Sequence, residues 1–236
     1  MSRSPAPYGM LLDRGLTLEQ LDLAYDIAVA DPDPKTNRRR LTMALRDLVS
    51  EQEAEGKTKK CLTRVWLSPP PEAAAMISWA RAQSVPRTAR PVLHFGALLA
   101  TFPFVGAVAR VIGQHLRTDG SVEAAVVRTE VRRALGDRSS VDVAARKVYT
   151  TIRNLGILEQ NGQTLCWAAQ SVAAPVELGG WLTHALLLTR QVEAVSVSGV
   201  AAAPELLGVL DSPPAQRSYA LLESHSQGDG LALVQR

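Results

Sequence analysis

Positions 92–109, VLHFGALLATFPFVGAVA, hold no formal charge, and this run constrains the 236-residue chain more than any other feature. Such a run must leave water, either in a bilayer or in a protein core. A spanning helix takes ~20 apolar residues, which puts this run at the short edge. His94, Thr101, two glycines and a mid-run Pro103 oppose a span, since proline removes a backbone donor and breaks the helical ladder. The reading is therefore a buried core helix, or helix pair, over 91–117 that breaks near Pro103. The chain is long enough for one large domain or two small ones. Its side chains are 46% apolar but 5% aromatic, and the excess of Ala and Leu favours helices over sheets.

The flanking segments carry their own signals. Thr17 followed by Gln20 has capping-box spacing, so a helix is expected from about 16 to 30. Two prolines in DPDPKTNRRR read as a turn. Thr36 or Asn37 then caps a helix expected over 38–54, which opens on Arg38, Arg39 and Arg40. Cations there oppose the helix macrodipole, which hints at another use for them. A basic loop with Lys59 and Lys60 follows, then a short apolar run and a triple proline. A short helix over 72–83 would face Met76, Ile77, Trp79 and Ala80 inward. The first ten residues lack the apolar core of a signal peptide. Cys61 and Cys166 stand far apart, outside any zinc-ligand spacing, and are expected to be buried thiols in a cytosolic chain.

Residues 121–168 carry the functional reading. A helix is expected to begin at Ser121 and to end at Gly136, with Val127, Val131 and Leu135 on one stripe and Arg128 and Arg132 pointing elsewhere. Ser139 or Ser140 caps a second helix that ends at Gly156. Ala144, Val148, Ile152 and Leu155 form its buried stripe. The other side would present Arg146, Lys147, Tyr149, Thr150, Arg153 and Asn154, groups that reach phosphate oxygens and base edges. A strand over 157–159, a turn at Asn161-Gly162 and a return strand over 164–167 then make a hairpin. Helix, tight turn, helix and hairpin is the order of a winged helix. The second helix would enter the major groove, with the wing from Gln160 through Asn161 and Gln163 to Thr164 lying along a phosphate backbone.

Charge is distributed to match. Residues 35–153 hold 21 basic and ten acidic side chains, whereas residues 1–34 hold two and six and residues 154–236 three and seven. An uneven field of this kind steers a polyanion to one surface although the whole chain is only +3. The fold class is thus mainly α (α+β). A helical N-terminal subdomain spans 1–68, a helical core with the winged-helix-like module spans 72–170, and a small α/β extension spans 171–236. In that extension a helix is expected over 177–194, followed by strand-like VSVSGV, a Pro213-Pro214 break, and two strands about a Gly-Asp-Gly turn.

The residue order over roughly 40–165 resembles the BrxA family of BREX phage-defence systems. The resemblance rests on HFGALLATFPFVGAVARVI and on the K-x7-LG-x-L junction of Lys147, Leu155, Gly156 and Leu158. It implies a small accessory protein with helix-turn-helix and winged-helix parts that binds double-stranded DNA and supports restriction of phage. The proline-rich linkers and the Ala-rich tail depart from the pattern.

No HExxH, GxSxG, P-loop or GxGxxG occurs, and the four histidines lie in unrelated contexts. The expectation is a non-catalytic, cytoplasmic protein without metal or cofactor, nucleoid-associated if it binds DNA. Four to six phosphate contacts would give a log–log salt slope of roughly −4 to −5. The alternatives are a winged-helix interaction subunit of a larger complex, for which the acidic, apolar tail speaks, and a dimeric transcriptional regulator.

Overall fold

Thr17 and Gln20 exchange hydrogen bonds at 3.1 and 3.2 Å and open α1, Leu18–Ala30. The computed structural model describes residues 10–49, 51–169, 174–210, 219–227 and 230–235. Helix α2, Pro34–Leu48, starts and ends earlier than the expected 38–54. Asp33 is its cap, and Pro34 takes the first helical position, where a missing donor costs nothing. Thr36 and Asn37 lie inside the helix instead, donating to Asp33 and to the Asp31 carbonyl, each at 2.6 Å. Arg38, Arg39 and Arg40 consequently fall beyond the first turn, and the macrodipole argument for them lapses.

The expected basic loop is helix α3, Gln52–Leu62, continued by a π-helical turn over Thr63–Leu67. Ala54, Thr58, Cys61 and Leu62 are buried at helical spacing there. Helix α4 spans Pro71–Arg81, with Trp79 half-buried rather than fully inward. The uncharged run forms α5, Arg90–Thr101, and α6, Pro103–Asp119, bent by 116° about Phe102. Every residue of α5 from Val92 to Thr101 is buried. Among the described residues no single helix is long and apolar enough to cross a membrane.

Helix α9, Gly179–Arg190, packs against both α5 and α6. Small residues make these contacts, and that of α6 with the turn at Pro204–Leu206, possible. A Cβ at Gly96 would lie 2.2 Å from Trp181 Nε1, and one at Gly113 would lie 2.0 Å from the Pro204 carbonyl oxygen. Two ionic clusters pin the periphery. Arg90 reaches Asp22 at 3.1 Å and Asp26 at 2.7 Å, tying α5 to α1. Glu205, 1% exposed, accepts from Arg110 on α6 and Arg190 on α9, each at 2.7 Å. Burial pushes the Glu205 carboxyl up, but the two guanidiniums outweigh it and hold it below the ordinary value.

The C-terminal part is shorter in helix than expected. Gln191 takes a left-handed conformation at φ 56° and ends α9 before residue 194. VSVSGV is only partly strand: β4, Ala194–Ser196, passes into a short helix α10, Val197–Ala201, capped by Ser196. A sheet in the order β4-β6-β5 joins it to β5, Leu222–Gln227, and β6, Gly230–Gln235, all antiparallel. The expected Pro213-Pro214 break and the turn at Gly228 and Asp229 lie outside the described residues. The architecture is mainly α with two small sheets, and one apolar core runs from Leu12 to Leu233. Cys61 is buried as expected, whereas Cys166 is only half-buried; neither forms a disulfide.

Gly113→Ala should therefore destabilise the fold by about 1–3 kcal/mol, because its methyl meets rigid backbone rather than a movable side chain. A circular-dichroism melt should show a fall of several degrees. Gly56→Ala, whose Cβ meets nothing within 4 Å on the exposed side of α3, should instead raise the melting temperature slightly, because Ala is the better helix former.

Candidate nucleic-acid interface

Helix α6 ends at Gly120, whose φ of 73° turns the chain out of the helix. The next three residues were expected to begin a helix. They form a strand instead, β1, Ser121–Glu123, pairing antiparallel with β3, Thr164–Trp167. Helix α7, Ala124–Leu135, starts only after it, and Gly136 ends it as expected. Helix α8, Ser139–Asn154, is flanked by Arg138, and no side chain caps it, so the expected Ser139 or Ser140 cap is not made. Strand β2, Leu158–Asn161, completes the sheet in the order β1-β3-β2. Helices α6, α7 and α8 pack on one another beside it. The sequence reading lacked α6 and β1 as members of this winged-helix-like unit, because Ser-Val-Glu continues a helical pattern and only the partner strand decides its state.

The wing is tightly tied. Asn161 pairs with Thr164, so the two-residue turn is Gly162-Gln163 rather than Asn161-Gly162. Gly162, at φ 62°, takes the first turn position, which suits a glycine. The Gln163 carbonyl accepts from the Ala124 amide at 2.9 Å, joining the wing to the start of α7. Arg153 donates to Gln160 Oε1 at 2.8 Å, and Gln160 donates to the Gly162 carbonyl at 2.9 Å. The last turn of α8 and the wing thus form one surface.

The outer face of α8 carries fewer free groups than its sequence offers. Ala144, Val148, Ile152 and Leu155 are buried, as the stripe predicts. Ser140, Arg146, Arg153 and Asn154 are exposed, and Lys147 and Thr150 are half-buried. Tyr149, expected on this outer face, is 5% exposed and belongs to the core instead, its hydroxyl 3.5 Å from Arg128 Nη1. Arg128 pairs with Asp142 at 3.2 Å and Arg132 with Asp137 at 3.7 Å, so these two cations are already partnered. Thr150 and Asn154 meet the segment before α1. The Asn154 amide donates to the Leu16 carbonyl at 2.8 Å, and a Cβ at Gly15 would lie 3.3 Å from the Thr150 methyl. Thr151, which the sequence reading passed over, anchors the same segment by accepting from the Leu16 amide at 2.9 Å.

Arg146 makes no ion pair among the described residues, and it stands two helical turns from Arg153, about 10 Å along the axis. Two further groups were missed. Arg138 is exposed at the start of α8 with no side-chain partner among the described residues, and Val143 is 54% exposed on the same stripe. A pattern search for cations inside the helix skips the first, and a search for polar groups skips the second.

The more distant basic residues do not join this face. Lys60 pairs with Asp13 at 3.1 Å, beside the segment that lies on α8, and Lys59 is half-buried next to it. Arg38 and Arg40 instead contact Ser68 and Asp31, at the far end of α1. Arg39 is exposed beside them. Leu16 touches α8 whereas Asp31, the partner of Arg40, follows the last turn of α1, about 20 Å along that helix. Among the described residues no three His, Cys, Asp or Glu side chains gather as a metal site. No protein-family model, curated protein or solved structure shows significant similarity to this chain.

His115 braces the module. Its Nε2 lies 2.9 Å from Glu130 on α7, and its Nδ1 lies 3.3 Å from Asp119. The hydrogen bond to Glu130, opposed by partial burial and helped by Asp119, raises its pKa above 6.5. The charged form is favoured by folding, so this stabilisation is complete below the ordinary pKa and is lost as pH rises through the raised one. A part-exposed pair of this kind is worth less than about 1 kcal/mol. The melting temperature should fall by roughly 1–3 °C across that window, and His115→Gln should flatten that component in melts taken between pH 6 and 8.

Proposed function

We propose that the chain is a non-catalytic protein that binds double-stranded DNA through the outer face of α8 and the adjoining wing. One observation carries the reading: Arg146 and Arg153 are exposed on one stripe of a helix whose last turn is joined to a β-hairpin. The major groove is about 12 Å wide and admits a helix. Two guanidiniums about 10 Å apart along a helix can reach phosphates on its rims or guanine edges on its floor. Arg138 extends the cationic stripe toward the start of α8, and the half-buried Lys147 flanks it beside Arg146. Val143 offers an apolar contact of the kind that meets a thymine methyl. Ser140, Asn161 and Gln163 supply uncharged hydrogen-bonding groups at the two ends. The resemblance to the BrxA family is the reason to place this binding within phage defence as an accessory role, and the DNA-binding reading does not depend on it.

A second reading has its own support. Arg128 and Arg132 are paired with Asp142 and Asp137, the wing carries no cation, and Val126 and Val143 are exposed. These features suit a winged-helix surface that docks on another protein.

Arg146→Glu combined with Arg153→Glu should weaken duplex binding in a gel shift by at least a hundredfold. Each reversal removes a contact and adds a repulsion, and every 1.4 kcal/mol lost is a factor of ten. The fold should survive, because neither side chain is buried and neither has a carboxylate partner among the described residues. Unchanged affinity in the double variant, with a normal melt, would remove α8 from the account and favour the docking reading.

A further inference from the structure

A groove of about 600 Å³ opens between α6, α7 and the end of α9. No residue of α8 lines it, so it is distinct from the face argued above. Its volume falls within the roughly 300–1,000 Å³ of small-molecule sites. Ala107, Val111, Val131 and Leu135 give it an apolar lining, and Arg110, Arg133 and Arg190 converge on it from three elements. The two acids that also reach it are occupied. Glu205 is held by Arg110 and Arg190, and Glu130 is hydrogen-bonded to His115. The Arg110 and Arg190 bonds to Glu205 use Nε and Nη2, which leaves each Nη1 without a protein partner among the described residues. Arg133 is exposed and has no ion pair among the described residues. Thr189 also borders the groove, but its Oγ1 is buried against Gly106 and has no hydrogen-bond partner among the described residues.

We infer that this groove binds a small amphipathic anion. Its apolar body would lie along Ala107, Val111 and Val131, and its charged head would meet Arg133 and the free guanidinium edges. Because α7 forms one wall and packs on α8, an occupant would touch the helix that braces the proposed DNA-reading helix. The site itself does not depend on the DNA-binding reading, since its test involves no DNA.

Titrating ¹⁵N-labelled full-length protein with octanoate, 1-octanol and inorganic phosphate separates the contributions of head and body. Octanoate should bind saturably, with amide shifts centred on 106–111, 130–135 and 189–191, and about tenfold more tightly than either octanol or phosphate. Arg133→Glu should weaken octanoate by about tenfold, the loss expected of one charge-assisted contact. Ala107→Phe, which fills the groove, should abolish the shifts while leaving the melt intact. No saturable binding at millimolar octanoate, an affinity for octanol or for phosphate equal to that for octanoate, shifts centred elsewhere, or an unaltered affinity in Arg133→Glu would each overturn the proposal.

Discussion

Helix α6 is shared by both halves of the molecule, and the remaining architecture is arranged around that sharing. One side packs on α5 and α9 and the other on α7, α8 and β1. A helix covered on so many sides can be packed this way only if its neighbours come close. Gly106 and Gly113 allow that approach, with Thr189 and the Pro204 carbonyl lying where side chains would otherwise stand. The interior is packed densely enough that such contacts transmit position rather than absorb it. The orientation of α8 is therefore set by a helix that also holds the C-terminal part.

Much of this was legible in the sequence because it depends on local chemistry. The Thr17–Gln20 capping box, the Pro103 break, the Gly136 and Gly156 stops and the buried stripe of α8 are short-range signals, and the structure contains each of them. Misread elements were those whose state depends on distant partners. Residues 121–123 are a strand because β3 lies beside them, and α2 starts at Pro34 because Asp33 supplies the cap. Tyr149 has a phenol that suits a surface, yet its ring completes the core between α7 and α8.

The candidate site was less legible than the fold, for an electrostatic reason. Counting charges along a chain ignores which carboxylates fold against which cations. Asp142 and Asp137 take up Arg128 and Arg132, Asp13 takes up Lys60, and Asp31 beyond the last turn of α1 takes up Arg40. Of the strongly basic middle of the chain, only a narrow stripe on α8 lies beside the wing. A narrow stripe can still steer a polyanion, but it displaces fewer counterions than the sequence suggested.

The most direct measurement is the salt dependence of wild-type affinity for a short fluorescent duplex, taken from about 50 to 200 mM monovalent salt. Three to four phosphate contacts from Arg138, Arg146, Lys147 and Arg153 correspond to a log–log slope of roughly −3, at about 0.9 per contact. A slope near that value is the predicted result. A slope near zero, or no binding at the lowest salt, would contradict the claim that this exposed stripe recognises nucleic acid.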